Sequence, residues 1–258
     1  MARRLKLIVA YDGTPFAGWQ SQTHRDTIQD HLERAFERAG AGRLRVHGAG
    51  RTDAGVHALA QCAHVDLAST RLSAPRWAGA LNASLPPTIR VLRCRYVSEQ
   101  FHARFSAKGK VYRYRIWSAP VLLPFEYQRA WHIVSPIDFE LMKAAAGTFA
   151  GTHDFAGFAA NRGKSAKRTR SGPGRRDSDT VRTIRSVRVR RNGSLVTLDF
   201  DGDGFLYRMV RLIVGSLVQC ALGKSSIKQI AERLDSGRLD SARFAAPAEG
   251  LFLVRVRY

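Results

Sequence analysis

The sequence predicts an α+β fold of two ferredoxin-like halves, each an antiparallel sheet flanked by helices. Three observations predict it. Strand-like alternation and helical spacing succeed one another in the order βαββαβ before Phe105. The pattern then restarts with a strand, a second strand and a helix. Finally, the stretch from Leu206 to Leu222 is apolar nearly all round, as a central, buried helix must be. The expected division is residues 1–104 and 105–258.

Taken in order, Leu5–Tyr11 alternates like a strand, and Ile28, Leu32 and Phe36 recur at helical spacing between Asp26 as a possible cap and Gly40 as a stop. Arg43–His47 and Leu59–Leu67 read as strands joined by the loop 48–58, the second with Leu59, Gln61, Ala63, Val65 and Leu67 on one face. Pro75 suits the first turn of a helix carrying Trp77 and Leu81, and Ile89–Val97 alternates again. In the second half, Lys110–Trp117 and Trp131–Val134 are expected strands and Asp138 to about Ala150 a helix. Val181–Arg190 and Leu195–Phe200 flank Arg191-Asn192-Gly193-Ser194, where Asn192-Gly193 is the preferred tight-turn pair of a hairpin. The buried helix ends at Gly223; a short helix, Ile227–Leu234, and a last strand, Leu251–Tyr258, follow.

The 258 residues and 45% hydrophobic content suit one large domain or two compact halves. The dozen uncharged residues Leu212–Gly223 fall short of the roughly 18 a membrane span needs. The apolar run Leu5–Ala10 behind Arg3 and Arg4 is too short for a signal peptide, so a cytoplasmic protein without membrane attachment is expected. Cys62, Cys94 and Cys220 are isolated, which argues against a disulfide framework or a zinc site and for packing roles. Charge says more: 42 Lys and Arg stand against 21 Asp and Glu, a formal +21, and a polyanion is the natural partner. Residues 161–191 hold twelve of the basic residues, yet 30 against 19 remain without them, so the excess is general. Within this stretch, 161–180 mixes Gly, Ser and Pro with seven basic residues and has almost nothing to bury. It reads as a mobile basic loop, either a solvated insertion or a segment that orders on RNA.

The loop Gly48–Ala58 places three glycines, Arg51 and Asp53 between two strands. A dinucleotide-binding reading fails, because the third Gly falls at 55 and a strand follows instead of a helix. On residues alone, Asp53 beside Ala-Gly is more often a turn or cap residue than a catalyst. No clustered carboxylates or His pair point to metal-dependent chemistry, and His57, His102 and His153 read as structural.

GRTDAGVHA (residues 50–58), YDGTPFAGWQ (11–20), FHARFSA (101–107), YRY (112–114), MVRLIVGS (209–216) and EGLFLV (249–254) together resemble the TruA family of tRNA pseudouridine synthases, from near the start of the chain to its end. The resemblance implies the pseudouridine synthase fold with a cleft between its halves, a homodimer, no cofactor and no metal. It also implies isomerisation of uridine on the 3′ side of the anticodon stem-loop of tRNA; a non-catalytic RNA-binding protein on the same fold is the alternative. By motif, Asp53 is the essential carboxylate, which can attack covalently, stabilise an oxocarbenium-like state or abstract a ribose proton. Arg211 is the basic partner implied for it, although on pattern alone an ordinary helix arginine fits equally. Arg51 is implied to help hold the flipped base out. Tyr112 is implied to stack on the target uracil, whereas pattern alone favours core for both Tyr112 and Tyr114, which share a strand face. Charge alone nominates Lys164, Lys167, Arg168, Arg170, Arg175 and Arg176 for RNA binding.

Overall fold

Alternating burial of Leu5, Leu7, Val9 and Tyr11 along β1 (Arg3–Tyr11) directs one face of the first strand into a core. A computed structural model of the chain describes residues 3–23, 26–68, 72–160, 180–237 and 244–258. It separates into two units, Met1–Val111 with Leu251–Tyr258 and Tyr112–Gly250.

In the first unit, α1 (Ile28–Phe36) is capped by Thr27, which accepts from the Asp30 N–H at 3.3 Å. Asp26, the expected cap, instead pairs with His31 at 3.0 Å and Arg34 at 3.2 Å; it is Thr27, in extended conformation, that aims its hydroxyl at the first turn. The helix runs into one wide turn, Glu37–Ala41, where Gly40 (φ 82°) breaks it. The expected strand 43–47 shrinks to β2 (His47–Gly48): Gly42 turns left-handed (φ 71°) and Arg43 reaches back to Glu37. β3 (His57–Leu67) starts earlier than its alternation suggests. Gln61–Val65 are buried on both faces, while Leu59 is 46% exposed, against expectation. α2 (Ala74–Asn82) has Pro75 in its first turn and buries Trp77 and Leu81. Its Asn82 amide bonds both the N–H and the C=O of Val91 on β4 (Ile89–Val97).

β1 lies antiparallel between β4 and β3, with Leu7 opposite Cys94 and Ala63. β2 pairs antiparallel with β3 at Ala63 and His64, which completes the ferredoxin-like order. The C-terminal strand Leu251–Arg257 runs parallel to β3, with Phe252 opposite His57; by sequence position it falls with the second half, but by packing it lies in the first unit. Each fully buried Leu or Ile of this core contributes roughly 1.5–3 kcal/mol relative to exposure.

The second unit takes most of β5 (Gly109–Ser118), whose Tyr112, Tyr114 and Ile116 point inward while Arg113 and Arg115 pair with Asp199 and Glu126. β6 (Trp131–Ile133) lies parallel to β5. α3 (Phe139–Gly147) uses Asp138 as its cap and stops short of Ala150, because Thr148, Phe149 and Ala150 close tighter, three-residue turns. A strand not legible from pattern, β7 (Gly151–Asp154), pairs with β8 (Val181–Asn192). β8 and β9 (Leu195–Gly202) form the expected hairpin, but Asn192 pairs with Leu195, so the turn pair is Gly193-Ser194, with Gly193 at φ 57°. Strand order in this unit is β5–β9–β8–β7.

The buried helix, α4 (Met209–Ala221), begins three residues later than expected, since Arg208 sits in the left-handed region (φ 59°) and cannot extend it. It is apolar nearly all round as expected, and Gly223 (φ 69°) follows its end. α5 (Ile227–Ser236) starts at a Ser226/Gln229 capping box. Cys62, Cys94 and Cys220 are buried thiols, and burial pushes that of Cys94 up to about 12. Among the described residues, no helix is long and apolar enough to cross a membrane.

Candidate active site

Asp53 opens a tight turn in the loop between β2 and β3. The Val56 N–H donates to the Asp53 carbonyl at 3.2 Å, and Gly55 takes a φ of 77°, which only glycine adopts without strain. Local sequence makes this turn; residues far back in the chain hold it in place.

The segment 11–20 wraps the loop. Tyr11 and Thr52 hydroxyls bond at 2.9 Å in the interior, and burial holds the Tyr11 phenol well above its ordinary pKa. The Trp19 N–H donates to the Thr52 carbonyl at 3.1 Å. Two glycines make the approach possible. A Cβ on Gly18 (φ 94°) would stand 2.6 Å from the Thr52 oxygen and 3.1 Å from the Asp53 carbonyl carbon, and one on Gly13 would stand 2.0 Å from the Val56 oxygen. The clamp therefore meets the backbone on both sides of the turn.

His57, where β3 begins, anchors the turn's far end. Its ring is buried, stacks on Phe252 at 4.4 Å, and accepts the Gly13 N–H at Nδ1, 3.1 Å away. This agrees with the structural role that sequence assigns it. Upstream, the Gly50 carbonyl accepts from buried Gln61 at 3.0 Å. Arg51 is exposed, and its Nε donates to the Gln20 carboxamide at 3.1 Å. Asp53 itself is half-buried.

Within the second unit, Tyr112 is 8% exposed and meets Phe205 edge-on at 5.1 Å. Tyr114 is fully buried, donates to the Pro247 carbonyl at 2.8 Å and packs so tightly on Gly250 that a Cβ there would lie 2.6 Å from its ring. Tyr114 is therefore core, as expected, whereas Tyr112 keeps a small accessible area. Arg211 projects from α4 among buried Met209, Val210, Leu212 and Ile213. Its Nε donates to the Ala246 carbonyl at 2.7 Å, and its own carbonyl accepts the Ala246 N–H at 3.0 Å. Gly215, one turn on, lets the strap containing Ala246 lie on the helix, since a Cβ there would stand 1.9 Å from the Phe244 oxygen. The guanidinium is thus oriented by backbone on a rigid helix.

Arg51 and Asp53 accordingly share one loop of the first unit, and Tyr112 and Arg211 belong to the second. Lys164, Lys167, Arg168, Arg170, Arg175 and Arg176 lie outside the described residues. Sequence reasoning passed over Lys110, whose Nζ would come within 2.7 Å of a Cβ on Gly50; its spacing of two from Tyr112 on one strand was the available signal. Among the described residues no group of His, Cys, Asp and Glu is arranged to hold a metal. The first unit thus offers a carboxylate on a clamped backbone turn with an adjacent arginine, and the second an oriented guanidinium and a nearly buried phenol.

A family model described as tRNA pseudouridine synthase matches residues 7–106 and 145–258. A tRNA pseudouridine synthase A from Akkermansia muciniphila is 46% identical over 258 residues, covering 99% of this chain and 95% of that protein. Proteins of the same name from Acetivibrio thermocellus and Methylacidiphilum infernorum are each 41% identical, covering 99% and 98% of this chain and 100% and 94% of their own lengths.

Proposed function

The chain belongs to the tRNA pseudouridine synthase family, an isomerase of tRNA uridine, and from that premise we propose that it acts on the 3′ side of the anticodon stem-loop with Asp53 as its reactive carboxylate. One observation supports the assignment above others: Gly13, Gly18 and Trp19 bear on the backbone of the turn that carries Asp53, and Tyr11 bonds the side chain of Thr52 beside it. A solvated turn aspartate needs no such clamp; a carboxylate that must meet a sugar carbon within a few tenths of an ångström does.

In the reaction the bond from ribose C1′ to uracil N1 breaks, the base turns, and C1′ joins C5. The C5 proton leaves and N1 takes one up, so the product has the atoms of the substrate and no redox partner is needed. The ionised Asp53 faces the ribose, whether by attack, charge stabilisation or proton removal. Arg211 contributes positive charge to the same reaction, offsetting the cost of keeping a carboxylate ionised away from water. Tyr112 lies against the uracil, and Arg51 helps hold the everted nucleoside. Eversion costs a few kcal/mol, which stacking and phosphate contacts offset. The active protein is a cytoplasmic homodimer that needs no metal.

The test is direct. tRNA transcripts are incubated with the purified protein in the presence of a chelator and mapped by carbodiimide adducts and primer extension. Stops confined to the 3′ side of the anticodon arm are expected; stops elsewhere, or none, overturn the assignment.

A further inference from the structure

The turn 101–107 joins two properties that rarely occur together: every backbone N–H from Phe101 to Ser106 is hydrogen-bonded, and one of its two phenylalanine rings faces water. Arg4 donates to the Phe101 carbonyl at 2.8 Å while holding Asp66 in a two-pronged ion pair. The Ala103 N–H donates to buried His64 Nδ1 at 3.2 Å, and the Ala103 carbonyl accepts from the Tyr258 hydroxyl at 2.7 Å. His102 and Ser106 exchange two bonds of 2.9 Å each. The His102 Nδ1 accepts the N–H groups of both Arg104 and Phe105, at 3.1 and 3.2 Å. Yet Phe105 is 77% exposed.

That exposed ring has a built support. Phe105 stacks on His102 at 4.3 Å and 30°, His102 meets buried His64 at 4.7 Å, and exposed His47 stacks on His64 at 5.0 Å, so the surface ring is backed by a cluster of imidazoles centred on His64. Acceptor roles at Nδ1 keep the His64 and His102 rings neutral, which suits stacking and adds no charge of their own to the site. The charge is supplied close by: the Arg104 guanidinium lies over the Phe105 ring, 5.6 Å from its centroid, and Lys108 follows, exposed, three residues on.

We propose that Phe105 is a stacking platform for one unpaired nucleobase of the tRNA, with Arg104 and Lys108 taking its flanking phosphates. A ring held in water by a turn whose N–H groups are hydrogen-bonded has already lost freedom that binding would otherwise remove, and a nucleobase is the flat ligand that fits such a surface. Local charge favours RNA over a second copy of this chain docked by the same face, which would set Arg104 and Lys108 against their own counterparts. The inference rests on tRNA being the substrate. It adds a contact in the first unit separate from the carboxylate loop.

The test uses the full-length chain and tRNA. Phe105→Ala raises Kd and KM roughly tenfold while kcat at saturating tRNA holds and the melting temperature stays put. Phe105→Tyr restores affinity and Phe105→Leu does not, which separates stacking from simple apolar contact. In Phe105→Trp, emission from the new indole is quenched when tRNA binds, and Arg104→Ala lowers the salt slope of binding by about one. Unchanged affinity in Phe105→Ala overturns the proposal, and so does rescue by Leu or a change of oligomeric state in place of affinity. Absence of pseudouridine formation by the unaltered protein counts against the enzyme assignment instead, because tRNA affinity still reads the Phe105 contact.

Discussion

Gly18 lies flat against the peptide that precedes Asp53: a Cβ on Gly18 would come 2.6 Å from the Thr52 oxygen, and its φ of 94° is already outside the range of other residues. Gly18→Ala therefore has to move the turn that carries Asp53 or unwind its own segment. The expected cost is about 2–4 kcal/mol of stability, with kcat falling at least tenfold even where the protein remains folded. Thermal melts paired with turnover at saturating tRNA measure both; wild-type kcat in a folded Gly18→Ala protein would mean that the clamp does not set the position of Asp53.

His57 should prove a positioning residue. His57→Ala removes the acceptor for the Gly13 N–H and the ring stacked on Phe252, so kcat should fall more than KM changes. His57→Asn, which can still accept that N–H, should recover part of the loss. Equal effects of the two substitutions would argue that packing, and not the bond, matters.

Arg211→Lys keeps the charge and loses the planar fork that the Ala246 carbonyl orients. The expected result is a fall in kcat of roughly a hundredfold with tRNA affinity little changed. A variant with near-normal kcat would reduce Arg211 to a structural bridge between α4 and its strap.

Acid should weaken the first unit through His64. Burial, with the positive charge of Arg4 and the neighbouring His102 and His47, lowers its pKa to about 4. The unfolded chain therefore binds a proton through the window from about 6.5 down to 4 that the folded chain refuses, and stability is lost as pH falls through it. His64→Asn, which keeps an acceptor for the Ala103 N–H, should flatten the slope of unfolding free energy between pH 6.5 and 5 by up to about 1.4 kcal/mol per pH unit. Parallel slopes in the two proteins would show that other groups carry the effect.

Much of the fold was legible because it is local. Ile89–Val97 alternates, Pro75 marks a first turn, and the apolar run after Arg208 has nowhere to go but a core. The discrepancies come from long-range or capping detail. Thr27 outcompetes Asp26 for a cap, Gly42 and the Arg43–Glu37 pair curtail a strand, and the Asn192–Leu195 pairing shifts a turn by one residue. The site divides the same way. Asp53 was readable as part of a motif, but nothing local shows that Gly13 and Gly18 exist to make room for its loop, because that requirement appears only when segments some forty residues apart meet. FHARFSA is likewise legible as a signature, but the exposure of Phe105 within it depends on the long-range bonds of Ala103 to His64 and Tyr258, which no local pattern shows.

The central claim is that the Asp53 carboxylate does the chemistry while contributing little to binding. Release of tritium from tRNA carrying C5-labelled uridine, measured with Asp53→Asn beside the unaltered protein, tests it most directly. The account predicts no release above background, with tRNA Kd within about twofold because one amide for one carboxylate removes little affinity. Sustained tritium release by Asp53→Asn would contradict it.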